Sequence, residues 1–239
     1  MRTWIGAERG DNGKTRMTLI WEPLPALPGV TRDAPGRVSV LAASEAGDLL
    51  FRGRTPDAAL ASNGPPQIPA ASAVTTPQKL VFDVPPGKVE LRLTVEGAGG
   101  AGTLDQETRS IVVPDLTGPQ LAMSTPRVFR ARTVPEFRTF ASDPNAAPVA
   151  VREFSRTERL LIRFDAYGPG TEKPAATAAL MNRAGQKMAD VPVTPAATGV
   201  GYQIDLSLNT IPPGEYLVEI TAKGATGEVK ELVAVRVTG

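Results

Sequence analysis

Short apolar runs with a period of two, each closed by Gly or Pro, set the terms on which this chain folds. Thr15–Trp21 alternates apolar and polar side chains and stops ahead of Pro23 and Pro25. Arg37–Ala43, Lys79–Val84, Lys88–Val95 and Arg109–Val113 do the same, the last ended by Pro114. Side chains on an extended strand point alternately to opposite faces. Such a run therefore buries one face and leaves Arg, Lys, Glu and Thr on the other. A helix would need its apolar residues three and four apart. A series of half-buried strands separated by turn residues predicts an antiparallel sandwich.

The second half repeats the plan with Arg159–Phe164, Ala176–Asn182, Tyr202–Leu208, Glu215–Ala222 and Glu228–Val237. The halves read as diverged copies. Val84-Pro85-Pro86-Gly87-Lys88-Val89-Glu90-Leu91 matches Ile211-Pro212-Pro213-Gly214-Glu215-Tyr216-Leu217-Val218 in residue type. Tyr216, two residues past its Gly, stands where sandwich domains place a corner tyrosine that ties its hydroxyl to backbone. The expected fold class is all-β: two tandem antiparallel β-sandwiches of immunoglobulin or fibronectin-III type. Residues 1–117 form the first and 151–239 the second. Between them, 118–150 reads as a Pro- and Arg-rich connector with one short helix at Pro135–Ala141. Thr133 is its N-cap, Pro135 and Glu136 lie in its first turn, and Phe129, Phe137 and Phe140 pack it down. Thr55–Pro77 lacks strand signals and reads as a long loop, a class that is commonly functional.

Composition decides which chemistry is open. The chain has 239 residues, with 26 basic and 25 acidic. A net charge of +1 supplies no overall pull toward nucleic acid or an anionic membrane. There is no His and no Cys. That removes disulfides, Cys/His zinc sites and every Ser-His or Cys-His mechanism, and leaves no side chain with an ordinary pKa near neutrality. Gly and Pro number 23 each, but they sit between the apolar runs, where they serve as turns. No apolar stretch approaches the ~20 residues that cross a bilayer. The start, Met1-Arg2-Thr3-Trp4, lacks the apolar core of a signal peptide, so an exported parent would carry its signal upstream.

Gly97-Ala98-Gly99-Gly100-Ala101-Gly102 fits the G-x-G-x-x-G spacing and follows a strand. A dinucleotide site also needs a helix starting at the last Gly, to bring its N-terminus to the pyrophosphate. Here Thr103-Leu104-Asp105-Gln106 leads into another strand, and Gly224-Ala225-Thr226-Gly227 stands at the equivalent place, so a hairpin loop is expected. No G-x-S-x-G, S-x-x-K or P-loop pattern is present. Glu8, Asp11 and Asn12, and Asp143 with Asn145, offer oxygens but lack the carboxylate density of a calcium loop and read as turns. No cofactor and no metal are expected.

One charge asymmetry stands out. Residues 127–163 hold eight Arg and no Lys against four acids. Arg127, Arg130, Arg132, Arg138, Arg152 and Arg156 are candidate docking residues for a protein partner or an upstream domain, because Arg suits bidentate contacts better than Lys. The competing reading pairs them with acids inside the molecule. Trp21 ends a strand and belongs to a core, whereas Trp4 is a candidate aromatic contact.

Arg2-Thr3-Trp4-Ile5-Gly6, Asn12-Gly13-Lys14-Thr15-Arg16, Trp21-Glu22-Pro23, Arg152–Arg159 and Pro213-Gly214-Glu215-Tyr216 together give the chain a resemblance. It resembles the C-terminal β-rich region of bacterial VWFA-related proteins, which follows a von Willebrand factor A-type domain. The resemblance implies a secreted or cell-envelope protein whose metal-dependent adhesion motif lies in the A domain. Nothing in this chain matches that motif, so no functional residue is carried over. The reading that follows is a non-catalytic structural or interaction module, with self-association through the end strands Arg109–Val113 and Glu228–Val237 as one mode. A carbohydrate-binding sandwich would need exposed aromatics on a sheet face or loop, and an exposed row involving Trp4, Tyr167 and Tyr202 would favour it. A hydrolase would need two carboxylates facing across a cleft.

Overall fold

Every alternating run forms a strand in the computed structural model, which describes residues 1–24, 33–56, 77–170, 173–197 and 201–239. The loop expected at Thr55–Pro77 lies almost wholly outside the described residues. The chain divides into two units: Met1–Ile5 with Gly10–Asp115, and Gly6–Arg9 with Leu116–Gly239.

The first unit is built from β1 (Arg2–Arg9, its last four residues counted with the second unit), β2 (Thr15–Glu22), β3 (Pro35–Ser44), β4 (Leu49–Thr55), β5 (Gln78–Val84), β6 (Gly87–Gly97) and β7 (Thr103–Val113). One sheet has the order β1-β2-β5 and the other β4-β3-β6-β7. On β6, Val89, Leu91, Leu93 and Val95 are all buried, while Lys88 ahead of them and Arg92 among them are exposed. Leu93 and Val95 meet Leu19, Trp21, Val38 and Val40 in the core, which is how alternation becomes a sandwich. The Gly-rich segment is the β6–β7 connection. A short turn at Ala98–Gly100 uses Gly99 and Gly102 at φ of 66° and 76°, conformations that cost a side chain but not glycine. It runs into β7 rather than a helix, so no helix N-terminus is there to hold a phosphate.

The second unit contains β8 (Ala122–Met123), β9 (Arg127–Ala131), α1 (Val134–Ser142), β10 (Glu153–Ser155), β11 (Arg159–Phe164), β12 (Ala166–Tyr167), β13 (Ala175–Asn182), β14 (Lys187–Val191), β15 (Val193–Pro195), β16 (Tyr202–Ser207), β17 (Gly214–Gly224) and β18 (Gly227–Thr238). The sheets β15-β16-β11-β9 and β10-β18-β17-β13-β14 enclose a core that includes Phe154, Leu160, Ile162, Phe164, Val218 and Ile220. In order along the chain these are the strands D-E-B-A facing A′-G-F-C-C′ of an immunoglobulin-type sandwich. The first unit repeats it as A-B-E facing C′-C-F-G. The repeat seen in sequence is thus a repeat of topology: Gly87 opens β6 and Gly214 opens β17, the F strand of each unit. Buried Tyr216 donates its hydroxyl to the Pro212 carbonyl at 2.8 Å, the corner expected there.

Two expectations are corrected. Residues 118–150 are not a connector: β8, β9 and α1 belong to the second unit, and β9 is hydrogen-bonded to β11 from Arg127↔Arg163 to Ala131↔Arg159. The first boundary also moves, because Gly6–Arg9 belongs to the second unit. The helix itself forms as read, with Thr133 Oγ1 accepting from the Glu136 amide at 3.3 Å. Of the two end strands, β18 is capped at its last residues by parallel pairing with β10, Glu153↔Arg236 to Ser155↔Thr238. β7 is an outer strand of its sheet, and its core-facing side carries Glu107 and Arg109. Inward charges of this kind discourage edge-to-edge pairing.

Candidate interaction surface

The arginine band lies on β9, α1 and β11 and on the residues flanking β10, and most of it is used within the second unit. Arg127 reaches Glu8 at 3.0 Å and Asp165 at 3.2 Å. Burial pushes the Asp165 carboxyl up, and Arg127 opposes that shift. Arg130 and Arg132 share Glu158, at 3.8 and 3.1 Å, and Glu158 also accepts the Ser155 amide. Arg152 donates to the carbonyls of Val149 and Val151. Arg156 is exposed and spends one N–H on the Asn209 carbonyl at 2.9 Å. Arg138 is exposed on α1, and its side chain makes no ion pair among the described residues.

Two further arginines fix the helix to the sheet. Arg163, only 4% exposed, lies 4.3 Å over the Phe129 ring. It donates to the carbonyls of Phe140 and Asp143 at the C-terminal end of α1, where a helix presents unsatisfied carbonyls and partial negative charge. Burial lowers its pKa and nearby Arg127 adds to the shift. Arg159 pairs with Asp205 and lies 4.6 Å over Phe137. Of the six docking candidates, Arg138 and Arg156 are the exposed ones that make no ion pair among the described residues. The band was legible from composition, but its partners were not.

The segment Gly6–Arg9 is a strap on the second unit. The Ala7 amide donates to Thr125 Oγ1 at 3.0 Å and the Ala7 carbonyl accepts from the Thr125 amide at 2.8 Å. The Arg9 amide donates to the Tyr167 hydroxyl, its guanidinium lies 4.3 Å over that ring, and its Nε donates to the Leu116 carbonyl at 2.7 Å. Burial pushes the Tyr167 phenol up to about 12.

The two tyrosines considered for sugar stacking are engaged within the second unit. Tyr167 is held by Arg9. Tyr202 stacks on Phe164 with ring centroids 5.5 Å apart and donates its hydroxyl to the Pro174 carbonyl. Trp4 is half-buried. The turn carboxylates act locally. Asn12 and Gly13 take φ of 55° and 74° in the β1–β2 turn, Asp11 pairs with Arg16, and Asp143 Oδ1 accepts the Asn145 amide at 2.8 Å. Among the described residues no group of three or more His, Cys, Asp or Glu converges to hold a metal ion, and no helix is long and apolar enough to cross a membrane.

A second surface was not singled out by sequence reasoning. On the solvent face of the β10-β18-β17-β13-β14 sheet, Met181, Leu217 and Ala234 lie side by side, and Leu232, 57% exposed, stands opposite Glu219. Leu217 and Ala234 line a shallow depression of about 280 Å³ whose rim includes Arg152, Arg183, Glu215 and Arg236. The signal was present. Along β18, Val229, Val233, Val235 and Val237 occupy the inward parity, and Leu232 with Ala234 interrupt an outward parity otherwise held by Glu228, Lys230 and Arg236.

Comparison with known proteins finds no family model and no curated protein that matches. Among solved structures, a pair of titin immunoglobulin tandem domains, A164-A165, is similar over 100% of this chain and 99% of that chain, at 11% identity and a TM-score of 0.26. That overlap is too loose to carry an argument, so the immunoglobulin-type assignment rests on strand order and on the Tyr216 corner.

Proposed function

We propose that the chain is a non-catalytic structural and protein-interaction module of an exported bacterial protein, positioning an adhesion domain of the A type that precedes it. The observation that supports this reading is where the charged groups go. Arg127, Arg130, Arg132, Arg159, Arg163, Glu158 and Asp165 are spent on the framework of an immunoglobulin-type sandwich. What the band leaves exposed and without an ion pair among the described residues is binding chemistry, Arg138 and Arg156, rather than a poised acid and base. The resemblance to VWFA-related proteins supplies the partner and the secreted or cell-envelope location.

Calorimetric titration of the chain with the A-type domain of the same parent tests it. Saturable binding is expected, weakened roughly tenfold by Arg138→Glu combined with Arg156→Glu, since these charges lie at the rim of the contact. Binding that ignores both substitutions removes the arginines from the contact. Absence of saturable binding removes the positioning role.

A further inference from the structure

At equivalent places on one strand arrangement the two units carry different side chains. In the first, the cross-strand pairs on the solvent face of β6 and β7 are Glu90↔Ser110 and Arg92↔Thr108, and Glu90 is ion-paired with Arg92 at 2.8 Å. At the same places in the second, the pairs are Leu217↔Ala234 and Glu219↔Leu232. The first unit places an ion pair there, with Val112 and Leu49 exposed separately on the same face, whereas the second groups Met181, Leu217, Ala234 and exposed Leu232 into an apolar strip of the kind that marks an interaction site.

We propose that this strip is the contact between two copies of the chain related by a two-fold axis. The inference rests on reading the chain as an interaction module and commits it to a partner. A knob and a hole lie on the same patch: Leu232 projects from β18, and two residues along, about 7 Å away, Ala234 and Leu217 floor the depression. An axis passing near Val233 seats each Leu232 in the depression of the other copy, so that each contact is made twice, as an isologous interface requires. The rim is also self-complementary. It carries Arg183 and Arg236 together with Glu215 and Glu153, paired within the chain at 3.4 and 3.9 Å. A rim of one sign would repel its own copy, whereas a mixed rim can exchange partners across the axis. The contact uses sheet faces and leaves the β10 cap on β18 in place.

Sedimentation equilibrium of the full chain over a concentration series reads the outcome. A dimer is expected, with its dissociation constant raised roughly thirtyfold or more by Leu232→Glu, as for a central anchor residue. Thr108→Glu, at the equivalent place in the first unit, should leave it unchanged. Because the chain has no cysteine, Ala234→Cys introduces a single thiol. A short thiol-reactive cross-linker should join two such chains and fail with Ser110→Cys, which keeps the test valid should Leu232→Glu not fold. A monomer at every concentration overturns the proposal. So does a dimer that a folded Leu232→Glu variant leaves intact, or equal cross-linking from positions 110 and 234. A chain that binds the A-type domain yet stays monomeric overturns the dimer alone. A dimer that does not bind that domain overturns the positioning role alone.

Discussion

Glu107 and Glu231 hold one position in the repeated plan and are settled in opposite ways. Glu107 stands opposite Leu93 on β6, and Glu231 opposite Ile220 on β17, each on the core-facing side of the last strand of its unit. Arg109, two residues along, donates to Glu107 and holds its carboxyl below the usual range. In the second unit that place is Val233, and burial pushes the Glu231 carboxyl up with no cation paired to it among the described residues. The linkage signs therefore differ. The contribution of Glu107 is present above the ordinary carboxylate range and fades as pH falls through its lowered value. That of Glu231 is present below the ordinary range and is lost as pH rises through its raised value. Glu231→Gln should stabilise the protein at about pH 7 and do little at about pH 3.5, while Glu107→Gln should destabilise it at neutrality and lose its effect in acid. Each change should be about 1 kcal/mol or less, because both groups are only partly buried and solvent screens them. Urea midpoints at the two pH values check this, and the same sign for both variants at neutrality would contradict the assignment.

At the scale of elements, the short strand β10 matters out of proportion to its length. Phe154, 1% exposed, inserts into the core of the second unit, and the flanking backbone is tied to β18 by the Arg236 amide on the Arg152 carbonyl and the Arg156 amide on the Thr238 carbonyl. Phe154→Ala should cost about 3–5 kcal/mol by opening a cavity, read as a lower urea midpoint, and should speed hydrogen exchange at Arg236. Nothing in Glu153-Phe154-Ser155 announces a strand, since three residues hold no period. β8, β12 and β15 escaped the sequence for the same reason. β9 escaped for another: Val128 faces the core while Phe129 on the opposite face is covered by α1, so both parities are apolar and alternation vanishes. The long half-buried strands were legible because one of their faces meets water. The helix was legible because Thr133, Pro135 and Glu136 carry local capping chemistry. The site was legible only as a density of arginine, since Arg127 finds Glu8 at a separation of 119 residues, which no local pattern encodes.

For the molecule as a whole, the strap changes where its stability resides. Residues 7–9, which the alternation of strands assigns to the first sandwich, contribute hydrogen bonds, an ion pair and a ring contact to the second. Arg9→Ala in the full chain should cost about 1–2 kcal/mol, from the lost cation–π contact and the Leu116 hydrogen bond. It should accelerate hydrogen exchange in β8 and β12 while leaving β3 and β6 unchanged. Equal acceleration in both units would assign Arg9 to the first. The strap also closes a neck. Arg9 is bonded to Leu116, and just inside it Thr15 Oγ1 donates to the Pro114 carbonyl at 2.6 Å, so the chain between them is a loop pinned at its base. Under a pull applied at Gly6–Arg9 and beyond Leu116, load crosses the Arg9–Leu116 bond and bypasses the loop. Unravelling of the first sandwich then adds no length to the tether until the strap gives way.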